Sequence, residues 1–361
     1  MIIILVISIV FALLYLAYPL WLMTRSGEAA VEETNSLEIG TVTLIYLSYN
    51  GAEFLQAKLD FLMKELGDFA DYELIIIDDY STDESGEILG RLQNQEKIKT
   101  ILKSGHRGIP NSMNLGVKEA RFDHVIFCDQ RQYLARGVLR TLVGSLGDPR
   151  VGAVSACLSS RDKQNGRSLI RRLENFIKCQ EGRTGNLIGV YGPLYAIRKA
   201  CYEEIPEHII LDDLYLTLRI LRTKQVCLNR ECLIIDDDPA ILHDYRRVRR
   251  YLLGFVQILR ERDLIRSLNR QQRTMLLWHK YFRILIPVVL FLGYVALGIL
   301  ATTQVAGLCA FLLATLMLVL SLLPLAPKPA GRLMALVRIN LFYFIALIQL
   351  GIGELGIRRV M

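Results

Sequence analysis

The chain has 361 residues, 52% of them hydrophobic and 22% charged, with a mean hydropathy of +0.31, which is too apolar for an ordinary soluble protein. The apolar excess lies at the two ends while the middle reads as a soluble domain, which argues against a many-span transporter. A net charge of +7 suits a membrane protein facing the cytoplasm better than a nucleic-acid binder, and seven cysteines without a CxxC pair or zinc spacing point to reduced thiols.

In chain order, Met1 to Met23 holds no charged residue. At about 1.5 Å per residue, a helix of that length crosses a hydrocarbon core of about 30 Å. A cleaved signal peptide is the competing reading. No basic segment precedes the run, and Tyr15, Tyr18 and Trp21 suit a membrane interface, so residues 1–23 are read as an uncleaved transmembrane helix. Residues 24–40 are polar and acidic and read as a linker. Thr41 to Ser48 and Tyr72 to Ile77 are β-branched or aromatic runs with a helical stretch between them, around Glu53 to Leu66. His124 to Cys128 follows a helix over Asn111 to Ala120, and Val151 to Ala156 follows one over Gly137 to Leu146. This alternation predicts an α/β domain over residues 41–245, a mostly parallel sheet with flanking helices. Residues 246–283 are read as amphipathic interface helices. Residues 284–361 carry three apolar runs, Ile284 to Ala301, Val305 to Leu325 and Leu333 to Leu355, read as three further transmembrane helices, the last with Arg338 and Asn340 inside it. Arg25, Lys280, Arg283, Lys328 and Arg332 flank these runs and place the domain in the cytoplasm, with the amino terminus outside.

In open α/β sheets ligands bind beyond the carboxyl ends of the strands, and here those ends are acidic. Asp78-Asp79-Tyr80-Ser81-Thr82-Asp83 follows the second strand, and Asp129-Gln130-Arg131 a later one. Singly, each reads as a turn or helix cap. Together, carboxylates at one sheet edge suit a ribose, a base or a divalent cation beside a diphosphate. No GxGxxG follows a strand and no GxxxxGK[ST] occurs, so neither dinucleotide binding nor a P-loop is supported. Further on, Asp212-Asp213 opens a helix, as a cap or as a base. Arg246, Arg247, Arg249 and Arg250 suit lipid headgroups and phosphate chemistry equally.

Taken in order, these motifs resemble the membrane-bound family 2 inverting glycosyltransferases, the group of cellulose, hyaluronan and other polysaccharide synthases, and the resemblance covers nearly the whole chain. It implies a GT-A-like domain and a nucleotide-sugar donor, UDP-linked by preference. Ser48-Tyr49-Asn50 matches a Pro-x-Tyr-Asn-Glu turn, with Gly51 for Glu, and implies Tyr49 against the base. Asp78 and Asp79 match a DDxSxD segment and would hold uridine. Asp129 matches the first ligand of a DxD metal site, implying Mg²⁺ or Mn²⁺ there; the second ligand is Arg131, which cannot coordinate a cation and would set its own charge against the diphosphate. Ile109 stands where relatives have a lysine. Tyr191 to Arg198 resembles an acceptor-side GxxYAxR segment. Asp212-Asp213 resembles the TED motif, implying Asp213 as general base and Asp212 beside it. Arg247 to Tyr251, with Gly254 and Gln257 following, resembles QxxRW: Arg250 would stabilise the leaving diphosphate, Arg247 replaces Gln, and Tyr251 replaces the acceptor-side Trp.

The implied reaction is a single in-line displacement that moves a sugar from a nucleotide diphosphate to a saccharide or polyprenyl-linked acceptor in extracellular polysaccharide synthesis. The implied setting is a bacterial inner membrane, with membrane lipid and a polysaccharide export or synthase protein as further partners. The departures at Gly51, Ile109 and Arg131 carry a second reading, a non-catalytic member that binds nucleotide or polymer and regulates a partner synthase.

Overall fold

The computed structural model describes residues 16–25, 40–92, 96–105, 108–159, 167–236, 245–322 and 328–351. Residues 1–15, which hold most of the expected first span, and 26–39, which hold most of the expected linker, lie outside the described residues.

Eight strands form one sheet in the order β3-β2-β1-β4-β7-β6-β8-β5. They are β1 (Thr41–Ser48), β2 (Asp71–Asp78), β3 (Ile98–Leu102), β4 (His124–Asp129), β5 (Tyr133–Leu134), β6 (Val151–Ser159), β7 (Leu194–Arg198) and β8 (Gln225–Ile235). The first half is parallel, as the helical crossovers Ala52–Leu66 and Gly108–Glu119 require. The second half is mixed: β7 runs antiparallel to both β4 and β6, and β5 antiparallel to β8. The mostly parallel expectation therefore gives way to a mixed sheet. The reversal follows from the chain path, because β6 leads through the helix Arg167–Arg183 and a turn at Gly189 (φ +88°) before β7 enters from the opposite end.

Every central strand is buried on both faces. Ile45, Ile75, Val125 and Ile197 belong to one apolar core, and Leu44, Leu74, Ile126 and Ala196 to the other. Period-two alternation sends neighbours to opposite faces, and unbroken apolar runs are its sequence mark. Gly116 lets the Gly108–Glu119 helix lie directly on the sheet, since a Cβ there would meet Ile45 Cγ2 at 2.8 Å.

Past the domain, the helix Tyr245–Arg260 leads through Arg262–Ser267 into a long helix. Among the described residues that long helix, Arg270–Ala301, is the one long and apolar enough to cross a membrane, while Val305–Leu318 and Val337–Leu350 are shorter apolar stretches. Within the described residues, the expectation of spanning helices at both ends thus reduces to this one. Its Leu292 and Ile299 are 52% and 65% exposed, so this apolar surface is not consumed by a protein core.

A buried polar cluster ties this helix to the domain. Glu181, on Arg167–Arg183, accepts from the Tyr18 hydroxyl, pairs with His279 Nδ1 at 2.8 Å and accepts from Ile188 N at 3.0 Å. His279 Nε2 lies 2.9 Å from Glu174, which also pairs with Arg283. Burial pushes the Glu174 carboxyl up, but His279, Arg283 and Lys280 together outweigh it and hold Glu174 well below the usual carboxylate range. Replacing Glu181 by Ala leaves Tyr18, His279 and Ile188 N without their shared acceptor. We expect a loss of about 3 kcal/mol or more, read as a lower midpoint of thermal unfolding in detergent; an unchanged midpoint would show that the cluster adds no stability.

Candidate active site

Strand register builds the site. Ser48 pairs with Asp78 and Leu47 with Asp129, so β1, β2 and β4 end level and release their loops at one edge. The reversed β7 starts at that same edge, with Leu194 opposite Cys128 and Asp129 N donating to Pro193 O at 3.0 Å.

The nucleotide-side loops are bound to each other. Asn50, in the left-handed region at φ +46°, accepts from Thr82 N at 2.8 Å and donates its backbone N–H to Ser81 Oγ at 2.9 Å. Asp78 accepts from both Ser81 N–H and its hydroxyl. Asp79 accepts from Gly108 N at 2.9 Å and pairs with the buried Lys103, which also donates to Ser112 Oγ at 3.1 Å. Asp83 accepts from Ala52 N at 3.0 Å at the start of a helix. Tyr49 and Tyr80 stand exposed at this edge. Gly51, where Glu was expected from the resemblance, is filled by a neighbour. Gln130 accepts from Tyr49 N at 3.2 Å and donates to Tyr49 O at 2.9 Å, and a Cβ on residue 51 would overlap its amide.

Asp129, Asp212 and Asp213 act on one another electrostatically across the sheet edge. Burial drives the Asp129 carboxyl up to about 6. Lys58 and Arg131 oppose that shift, Asp213 adds to it, and Arg250 opposes it. Asp212 is held higher still, at about 8, by burial first and by the neighbouring Asp213 second, with Asp129 adding to the rise and Arg250 opposing it. Asp129, Asp212, Asp213 and Arg250 therefore share one electrostatic field. Asp213 opens the helix Asp212–Ile220, with its Oδ1 accepting from Leu214 N at 2.7 Å and its backbone O accepting from Thr217 Oγ1 at 2.6 Å. Thr217 Oγ1 also accepts from Val190 N at 3.1 Å, and Asp213 Oδ2 lies 3.6 Å from the Cβ position of Gly192, so Asp213 and the Gly189–Gly192 turn form one wall. Tyr191 completes it: its hydroxyl donates to Asn175 at 2.6 Å, and Lys178 stands 3.6 Å over its ring. Burial first, then Lys280, lowers the Lys178 ammonium to about 8.

Arg250, Arg247 and Tyr251 lie on Tyr245–Arg260, with the Arg247 guanidinium 6.0 Å from the Tyr251 ring centre. Arg198 is brought elsewhere. At the far end of β7 its guanidinium donates to Val151 O and Asp148 O, joining two segments of the domain outside the acidic edge.

Sequence reading missed Lys58, Lys103 and Lys178. Lys58 carried a signal, since it breaks the apolar stripe of Leu55, Leu59 and Leu62; its ammonium donates to Gln132 O at 2.6 Å beneath Asp129. Lys103 follows a strand, β3, that the sequence reading passed over.

The donor set does not fit a divalent ion held by the protein alone. Asp129 sits in the field of Lys58, Arg131 and Arg250, and among the described residues no three His, Cys, Asp or Glu side chains gather as a metal nest.

Residues 43–205 match the family model "Glycosyl transferase family 2". The poly-beta-1,6-N-acetyl-D-glucosamine synthase of Staphylococcus aureus is 24% identical over 143 residues, 39% of this chain and 34% of that protein. The poly(ribitol-phosphate) beta-glucosyltransferase of Bacillus spizizenii is 29% identical over 102 residues, 27% of this chain and 16% of that protein. These matches span a third or less of the relatives' length. In fold, the chain is similar to a Pyrobaculum calidifontis mannosyltransferase solved with GDP-Man and Mn²⁺, at a TM-score of 0.74 and 20% identity, covering 96% of this chain and 98% of that one. The mixed α/β sheet with flanking helices is thus GT-A-like, and the stretch that matches the glycosyl transferase family 2 model, residues 43–205, runs from β1 through β7 of that sheet.

Proposed function

We propose that the chain is an inverting glycosyltransferase that moves a sugar from a nucleotide-diphosphate donor to a saccharide or lipid-linked acceptor at a membrane surface. The observation that carries this reading is the shared field of Asp129, Asp213 and Arg250 at the carboxyl edge of the sheet. Tyr49 would lie against the nucleobase, and Asp78 and Asp79, anchored through Ser81 and Lys103, would hold the nucleoside.

The acceptor hydroxyl attacks the anomeric carbon from the side opposite the leaving group as its proton passes to Asp213. The bond from that carbon to the diphosphate oxygen breaks, and configuration inverts in one step. Negative charge then grows on the diphosphate, where Arg250 and Arg131 balance it. Asp212 retains a proton below pH 8, which limits the charge crowded beside the base. Tyr251 and Tyr191 form the acceptor wall. The Arg270–Ala301 helix supports a membrane setting, with residues 1–23 as an amino-terminal anchor, 24–40 as linker, 41–245 as the cytoplasmic domain, 246–283 as interface helices and 284–361 as the carboxyl-terminal membrane region. The family of named polysaccharide-building relatives supports extracellular polysaccharide synthesis as the context.

Asp213→Asn is expected to lower sugar transfer by about 10²–10⁴-fold while nucleotide binding persists, and Arg250→Ala by about 10²–10³-fold. Nucleotide diphosphate release by protein in lipid, across a panel of UDP- and GDP-sugars, measures both; wild-type turnover in Asp213→Asn removes the base assignment.

Because Arg131 stands where a carboxylate ligand would, transfer is expected to survive chelation with less than a tenfold loss, whereas Arg131→Asp should become dependent on added Mn²⁺. Full loss of wild-type activity in EDTA contradicts this.

The Asp212 shift sets a pH dependence of stability. A carboxyl raised to about 8 in the folded state binds a proton that the unfolded chain has released, so stability falls as pH climbs from about 4 towards 8. Asp212→Asn lacks that loss. Its melting temperature should match wild type near pH 4 and exceed it increasingly up to pH 8; a constant offset would show that Asp212 does not titrate there.

A further inference from the structure

Arg250, Gly254 and Gln257 recur at i, i+4 and i+7 on the helix Tyr245–Arg260, so they share one face. Two turns beyond Arg250, that face grips the segment that delivers the base. Gln257 Nε2 donates to His208 O at 2.7 Å, and Gln257 Oε1 accepts from Ile210 N at 3.0 Å. One side-chain amide thus satisfies both a carbonyl and an N–H of a segment that belongs to neither strand nor helix. Gly254 takes the next residue: Leu211 lies buried on its bare backbone, where a Cβ would come within 2.9 Å of Leu211 Cδ1 and closer still to its Cγ. Leu211 is the N-cap of Asp212–Ile220, with extended-side torsions (φ −104°, ψ 72°), and its carbonyl accepts from Tyr215 N at 2.9 Å. Three of the four residues from 208 to 211 are therefore fixed from one helix face, immediately before Asp212 and Asp213.

The same helix is anchored at its other end. Tyr245 meets Phe342 edge to face at 5.7 Å, and its hydroxyl donates to Gln349 on the Lys328–Gly351 helix. Val248, Leu252 and Ile258 are buried. One packed rod thus runs from the apolar helices to the start of Asp212–Ile220 and carries Arg250 on the way.

We propose that Gln257, assisted by Gly254, is a positioning residue for Asp213. It holds residues 208–211 so that the carboxylate and Arg250, which must act on opposite sides of one sugar, are indexed to a single rigid helix. A displacement of about 1 Å at such a group costs up to about 10²-fold in rate, and a two-point amide clamp from a helix packed along its buried face removes that freedom. This inference rests on Asp213 being the base.

The test uses the full chain in lipid nanodiscs and follows nucleotide diphosphate release with whichever of UDP-glucose, UDP-N-acetylglucosamine or GDP-mannose supports turnover. Gln257→Met loses both hydrogen bonds and should lower kcat by 10- to 100-fold with the donor KM within about twofold. Gln257→Glu keeps the shape and the bond from Ile210 N but cannot donate to His208 O, so it should fall between wild type and Gln257→Met. Against an Asp213→Asn background, Gln257→Met should add little further loss, because a clamp that acts only through the base has nothing left to position. Calorimetric nucleotide binding serves as the folding control, and Gln257→Glu carries the decision if Gln257→Met fails it. Wild-type kcat in a folded Gln257 variant overturns the proposal, as does a loss that multiplies in full with that of Asp213→Asn. Wild-type turnover in Asp213→Asn itself overturns the base reading, and the positioning role with it.

Discussion

Like charges crowded at one edge of a sheet are the constraint around which the molecule is arranged. Burial first, and the neighbouring Asp213 in addition, raises the Asp129 and Asp212 carboxyls well above the usual carboxylate range. Such a cluster persists only where cations or protons offset it. The offsets come from separate elements: Lys58 from a helix beneath the sheet, Arg131 from the loop after β4, and Arg250 from a helix that packs against the apolar carboxyl-terminal region. Placing a cation from each of three elements at one point requires that those elements be docked, so the electrostatics of the site and the tertiary fold are a single problem.

The sheet solves its half through direction. Parallel strands β1, β2 and β4 end level, and antiparallel β7 brings the start of a strand to the place where three others finish. The nucleotide-side loops and the Gly189–Gly192 turn thereby face each other without a long excursion of chain. Rigidity then comes from side chains that bond backbone, namely Asp78, Asp79, Asn50 and Gln130 on one side and Thr217 and Gln257 on the other. Both walls are fixed in this way, as the proposed single-step displacement requires of groups on either side of the reacting carbon.

Much of this was legible in the sequence, and the limits were physical. The strands β1, β2, β4 and β6 announced themselves as apolar β-branched runs, and the acidic residues after them fell where strand-end logic put them. The direction of β7 was not legible, because a five-residue buried run reads the same either way and pairing is decided by the path of the chain before it. β3 and β8 carry Lys99, Asn229, Arg230 and Glu231 among their apolar residues, which blurred their pattern. Lys58 marked itself as a charge inside an apolar stripe, but its role and that of Lys103 come from contacts across tens of residues, with Gln132 and with Asp79, which local spacing does not encode.

The exchange at Gly51 has a consequence for how this site can change. The amide of Gln130 occupies the volume that a side chain on residue 51 would need, and it ties both backbone groups of Tyr49 while doing so. Positions 51 and 130 are therefore one unit of variation. A side chain placed at position 51 alone pushes the Gln130 amide aside and frees the Tyr49 backbone, so the effect of a change at either position depends on the residue at the other.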